Sequence, residues 1–130
     1  MKVFLGGTCN DSNWREKIIP FLRCEYYNPA ETNWNAYNQA EEFLEKGKCD
    51  YILVVTSPKE NPVYCIADGV DLSNKAPEKL IWCMLKDDEG HYFDSQTLLS
   101  LLAVGVMIEQ NGATVLKSLQ EIVDYLNDLS

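Results

Sequence analysis

The run Tyr51-Ile52-Leu53-Val54-Val55-Thr56 is uninterrupted by any charged residue and lies between two helical patterns. A strand of that kind has no solvent face; it belongs to a parallel sheet covered by helices on both sides. The rest of the chain supplies the matching pieces. Lys2–Gly6 is a short apolar run ending in Gly6-Gly7, a buried strand followed by a turn. Asp11 or Ser12 can cap a helix with Trp14, Ile18, Phe21 and Leu22 inward, and Pro20 predicts its kink or early stop. Arg23–Tyr27 is a second strand. Asn35–Lys46 reads as a helix with Tyr37, Ala40, Phe43 and Leu44 inward and Gly47 as its C-terminal cap.

After Tyr51–Thr56 and the Ser57–Pro62 loop, Val63–Leu72 is a helix expected to bury Val63, Ile66, Ala67 and Val70. Leu80–Leu85 is the fourth strand. Asp94–Gln110 is a helix apolar nearly all round, so it is either deeply buried or packed against another subunit. Ala113–Leu116 is the fifth strand. Ser118 and Glu121 form a capping box for a last helix with Leu119, Ile122, Val123 and Leu126 inward. Five βα repeats predict an α/β fold with one five-stranded doubly wound parallel sheet. At 130 residues, with no linker or repeat, the expectation is a single domain over 1–130.

Composition narrows the partners. The net charge is −9, with −2 in residues 1–65 and −7 in residues 66–130. Such a surface repels phosphate backbones, so a nucleic-acid polymer is not expected. No stretch approaches the roughly 18 apolar residues of a membrane span, and the N-terminus lacks a signal-peptide core; no membrane partner and a cytoplasmic location are expected. The five cysteines form no Cys-x-x-Cys pair and His91 is the only histidine, so no metal site can be assembled. The thiols are expected to be reduced and mostly buried.

In doubly wound sheets, ligands bind beyond the carboxyl ends of the strands where the strand order reverses. That rule selects the loops Gly6–Asn10, Asn28–Trp34 and Ser57–Tyr64. Gly6-Gly7-Thr8 is either a ligand cradle or simply a tight strand-to-helix turn. Tyr64, Asp68 and Asp71, spaced by four and three, share one helical face. Asp68 lies near the N-terminal half of its helix, where the dipole favours a carboxylate. That placement suits a nucleophile or a stabiliser of an oxocarbenium-like carbon, or else a solvated helix face.

Val3-Phe4-Leu5-Gly6-Gly7-Thr8, Asn13-Trp14-Arg15, Asn28-Pro29, Trp34, Lys48-Cys49-Asp50-Tyr51 and Ile66-Ala67-x-x-Val70-Asp71-x-Ser73-Asn74-Lys75 together resemble the nucleoside 2-deoxyribosyltransferase-like family, from about residue 2 to the C-terminus. The resemblance implies a flavodoxin-like three-layer α/β/α fold, cleavage of an N-glycosidic bond, no cofactor and no metal. It implies a carboxylate on the third helix that attacks C1′ of a deoxyribose. Asp68 occupies that slot, one methylene shorter than the family's glutamate.

A second-helix acidic position falls at Glu41 or Glu42, with Glu42 the candidate, while a third acidic position falls at Asn61-Pro62 and is lost. Gly6, Gly7 and Thr8 match the sugar-and-base loop. Asn28 and Trp34 match the second loop, where Trp34 either stacks on a base or plugs the core. Tyr64 completes the substrate-binding set. Asn127 is a distant match to a segment supplied by a neighbouring subunit.

The expected ligand is a nucleoside or nucleotide, and the expected assembly is a homodimer or higher homo-oligomer through Asp94–Gln110. The alternative is a degenerate member that binds such a ligand as a sensor or sequestering module; a purely structural role for the apolar helix is the third reading.

Overall fold

The computed structural model describes residues 1–8, 12–31 and 36–130. Five parallel strands form one sheet: β1 Lys2–Gly7, β2 Glu25–Tyr27, β3 Tyr51–Thr56, β4 Leu80–Met84 and, last in the chain, β7 Thr114–Leu116, in the order β2-β1-β3-β4-β7. β5 Asp87–Asp88 and β6 His91–Tyr92 make a small antiparallel hairpin after β4 that the sequence pattern does not announce. The helices are α1 Trp14–Ile18, α2 Ala36–Lys48, α3 Val63–Lys75, α4 Ser95–Gln110 and α5 Leu119–Leu129. This is an α/β fold consistent with a three-layer flavodoxin-like architecture.

The continuous apolar strands are explained by two cores. Alternate residues of β1, β3 and β4 (Val3, Leu5, Leu53, Val55, Ile81, Cys83) pack with Trp14, Ile18, Ile122 and Leu126 of α1 and α5. The other set (Phe4, Ile52, Val54, Leu80, Trp82, Met84) packs with Cys65, Leu101 and Ile108 of α3 and α4. α3 approaches β4 so closely that a Cβ on Gly69 would lie 2.6 Å from the fully buried Trp82 ring.

Several helix faces differ from expectation. α1 stops at Ile18 and passes into a 3-10 turn through Pro20, so Phe21 is 65% exposed rather than inward. Ser12 gives its hydroxyl to Asp88 instead of capping α1; Asp11 lies outside the described residues. Gly47 does not cap α2, which runs on to Lys48. Ala40, Phe43 and Leu44 of α2 face solvent. α3 runs three residues past Leu72 and buries Cys65, Gly69 and Ser73, while Val63 and Ala67 are exposed. At α5, Ser118 accepts from the Glu121 N–H as a capping box requires, but Glu121 reaches back to the N–H of Lys117.

Candidate active site

The strand order reverses between β1 and β3: β1 leads to α1 against one core, and β3 leads to α3 against the other. The loops leaving these two strands are joined directly. Thr8 N–H donates to Val55 O at 2.8 Å, and Ser57 N–H donates to Thr8 Oγ1 at 3.0 Å. Gly7 permits this seam, because its φ is +113° and a Cβ there would lie 2.0 Å from Val55 O and 2.5 Å from Val55 N. The glycine therefore answers to the neighbouring strand, whatever else approaches the loop. Thr56, the last residue of β3, is fully buried, and its Oγ1 has no hydrogen-bond partner among the described residues.

Asp88, carried by the β5–β6 hairpin, closes this end of the sheet. It is 5% exposed, and its Oδ2 accepts from Ser12 Oγ at 2.6 Å and from Ser57 Oγ at 2.5 Å. Burial pushes this carboxyl up, but the two hydroxyls, with the Lys59 and Lys17 ammonium groups, outweigh it and hold it below the usual carboxylate range. Lys59 Nζ donates to Glu89 Oε1 at 2.8 Å, and Lys17 Nζ lies 3.8 Å from the same oxygen. Arg15, 3% exposed, spends its guanidinium on the carbonyls of Leu5, Thr8 and Gly7. A cleft of about 310 Å³ runs beside the hairpin, lined by Lys17, Asp88, Glu89 and the Lys117–Leu119 turn.

Asp68 stands on α3, the helix that leaves the β3 loop. Its side chain is 18% exposed, and both carboxylate oxygens face Lys46 Nζ of α2, at 2.8 and 3.0 Å. Lys46 in turn lies 5.8 Å from the centre of the Phe4 ring. Of the predicted helical face, Tyr64 is 74% exposed and Asp71 pairs with Lys75 in solvent. Glu42 is half-buried on α2. Asn28 Oδ1 accepts from the Ala30 N–H, which shapes the turn after β2. Trp34 lies outside the described residues.

The structure thus joins Thr8 to Ser57 and sets Asp68 between α2 and α3. Asn127 is spent within the chain, bonding Phe21 O and Arg23 N–H, so its side chain is committed to the connection between α1 and β2. Cys49, Cys65 and Cys83 are buried free thiols, and burial pushes Cys83 up to about 12.

Sequence reasoning overlooked Asp88, Ser12 and Ser57 as a unit. The segment Asp87–His91 reads as a polar loop, and only Gly90 within it hints at a hairpin turn. Two serines, 76 and 31 residues away from Asp88, give no local signal.

A family model described as nucleoside 2-deoxyribosyltransferase like matches residues 1–83. The match contains β1 through most of β4, with Gly6–Thr8, Asn28, Glu42, Ser57, Tyr64 and Asp68; Asp88, α4 and α5 lie beyond it. No curated protein and no solved structure matches the chain.

Proposed function

Because the chain belongs to the nucleoside 2-deoxyribosyltransferase-like family, we propose that it binds a nucleoside or nucleotide over the Thr8–Ser57 seam and cleaves its N-glycosidic bond through Asp68. The observation that carries this reading is a half-buried carboxylate fixed on α3, the helix leaving the switch-point loop. An Asp68 oxygen attacks C1′ of the deoxyribose; the base departs with the bonding electrons and takes up a proton. Water or a second base then opens the resulting sugar ester and regenerates the carboxylate.

Lys46 favours a second reading. Its ammonium contacts both Asp68 oxygens, so attack requires at least one of them to be released. A chain in which that pair persists binds the ligand without turning it over, as a sensor or sequestering module. Aspartate also retracts the carboxylate by about 1.5 Å relative to glutamate, and misplacement of that order costs roughly a hundredfold in rate.

Product analysis with deoxynucleosides and their monophosphates separates the two. Slow base release that disappears in Asp68→Ala while binding persists supports catalysis. A faster Asp68→Glu variant identifies an attenuated transferase. Turnover unchanged in Asp68→Ala overturns the role of Asp68 and makes Glu42 the next carboxylate to test. Binding with no turnover in either form establishes the second reading.

A further inference from the structure

Lys46 stands in the last turn of α2, where the helix dipole favours a cation. Its ammonium donates to Asp68 Oδ1 at 2.8 Å and to Oδ2 at 3.0 Å, and it lies 5.8 Å from the centre of the Phe4 ring. The Phe4 ring is buried and stacks on Tyr27, so the pair rests on an apolar floor. The Lys46 and Asp68 side chains are themselves only 22% and 18% exposed. Solvent screens such a pair far less than it screens Lys75 and Asp71, two turns of α3 that meet in open water.

An ammonium carries three donors, so when one Asp68 oxygen turns to C1′ the other can stay on Lys46. That second oxygen becomes the carbonyl oxygen of the sugar ester. Asp68 loses its negative charge as the C1′–O bond forms and regains it when that bond breaks. A fixed ammonium stabilises the charged carboxylate more than the neutral ester. It therefore opposes the attack, where charge is lost on the way to the transition state, and assists the departure, where charge returns.

We propose that Lys46 is a positioning residue that holds one Asp68 oxygen through both half-reactions, slows the attack on C1′ and hastens the departure of the carboxylate, so that the sugar ester is short-lived and passes to water. Transfer needs the ester to outlast the exit of one base and the arrival of another; hydrolysis needs only water. In the first half the C1′–N bond breaks, its electrons leave with the base, and the base takes a proton from solvent. In the second, a water oxygen bonds to C1′ and the C1′–O bond to Asp68 breaks, its electrons returning to the carboxylate. The water gives a proton back to solvent. The products are a free base and a free sugar. The inference rests on the reading that Asp68 attacks C1′.

Incubation of the full chain with the common 2′-deoxynucleosides and their monophosphates, with and without a second free base, tests it. Products are separated by chromatography, and the protein is weighed by mass spectrometry. Wild type is expected to release base and free sugar in equal amounts, with no sugar adduct and little exchange product. Lys46→Met removes the ammonium and keeps an unbranched stem. It is expected to release its first base in a burst about tenfold faster than wild-type turnover. A slow steady rate, a sugar adduct on the peptide carrying Asp68 and a rise in exchange product should follow. Lys46→Arg restores the charge and is expected to remove the adduct; Lys46→Gln decides the matter if Lys46→Met fails to fold. A pair that merely ties α2 to α3 lowers stability and rate with no adduct and the same product ratio, and that outcome overturns the proposal. So does exchange product exceeding free sugar in wild type, or turnover that appears only once Lys46 is replaced; both leave the role of Asp68 standing. Base release by neither wild type nor any folded Lys46 variant overturns the reading of Asp68 as nucleophile, and the proposal with it.

Discussion

Asp87 and Asp88 are adjacent and chemically identical, yet Asp87 is exposed and Asp88 is 5% exposed beneath two serine hydroxyls. The pairing with Tyr92 and His91 in the hairpin decides which of the two turns inward. Gly7 carries a related lesson. As a sequence feature it is equally a ligand cradle or a turn, and the structure assigns its need for glycine to Val55. A Cβ would fall 2.0 Å from a main-chain oxygen, at a φ of +113° that side chains rarely adopt. Backbone cannot move aside as a flexible side chain can. Gly7→Ala is therefore expected to cost about 3 kcal/mol or more, read as a lower midpoint in chemical denaturation. Wild-type stability in this variant would mean that the β1–β3 seam is looser than described. Gly7→Val, with a larger side chain, is expected to unfold the chain rather than block ligand binding selectively.

At the level of elements, periodicity placed every helix but misassigned some faces. α2 turns Phe43 and Leu44 outward and Lys46 inward, where its ammonium meets Asp68 and lies over Phe4. A pattern that ranks residues by hydropathy cannot anticipate a lysine chosen as the inner residue by a carboxylate on another helix. α4 is apolar all round, and only part of that surface is used. Leu101 and Ile108 are buried, whereas Leu99, Leu102, Val106 and Met107 are 43 to 62% exposed. Glu109 is the only charged residue in α4, in a chain of net charge −9. Two copies can meet on this face without bringing like charges together, which is not true of the acidic surface around it. A second copy is the occupant expected: light scattering should give a dimer at tens of micromolar, and Val106→Glu should give a folded monomer. A wild-type monomer at that concentration removes the idea.

Over the whole molecule, Asp88 ties together three segments distant in the chain: the approach to α1 at Ser12, the exit from β3 at Ser57, and the hairpin after β4. Its ordinary value in an unfolded chain is 3.8, and in the folded chain it lies lower. The folded state therefore binds fewer protons there, so the stabilisation is complete above that ordinary value and is lost as pH falls through the lowered one. Asp88→Asn is expected to be about 1–2 kcal/mol less stable than wild type at about pH 7. The gap should close as the medium is acidified below the ordinary value, as measured by urea titration at several pH values. A gap that stays constant into strong acid would show that Asp88 contributes through packing rather than through its charge.

The five-stranded parallel sheet and the places of its helices were legible in the sequence. They follow from patterns that repeat within a few residues: the unbroken Tyr51–Thr56 run, helical spacing in Leu119–Leu126, and Pro20 ending α1. The strand order reverses at β1 and β3, and the loops leaving these two strands are among the three that the sequence selects. The partners inside those loops were not legible. Ser57 meets Thr8 because the β1–β3 register sets Gly7 beside Val55. Ser12 and Asp88, 76 residues apart, meet because a hairpin returns over the end of the sheet. Local spacing carries the information for a strand or a helix, whose bonds are short in sequence. Which single polar side chains end up buried together depends on how those elements pack, and only the tertiary structure decides that.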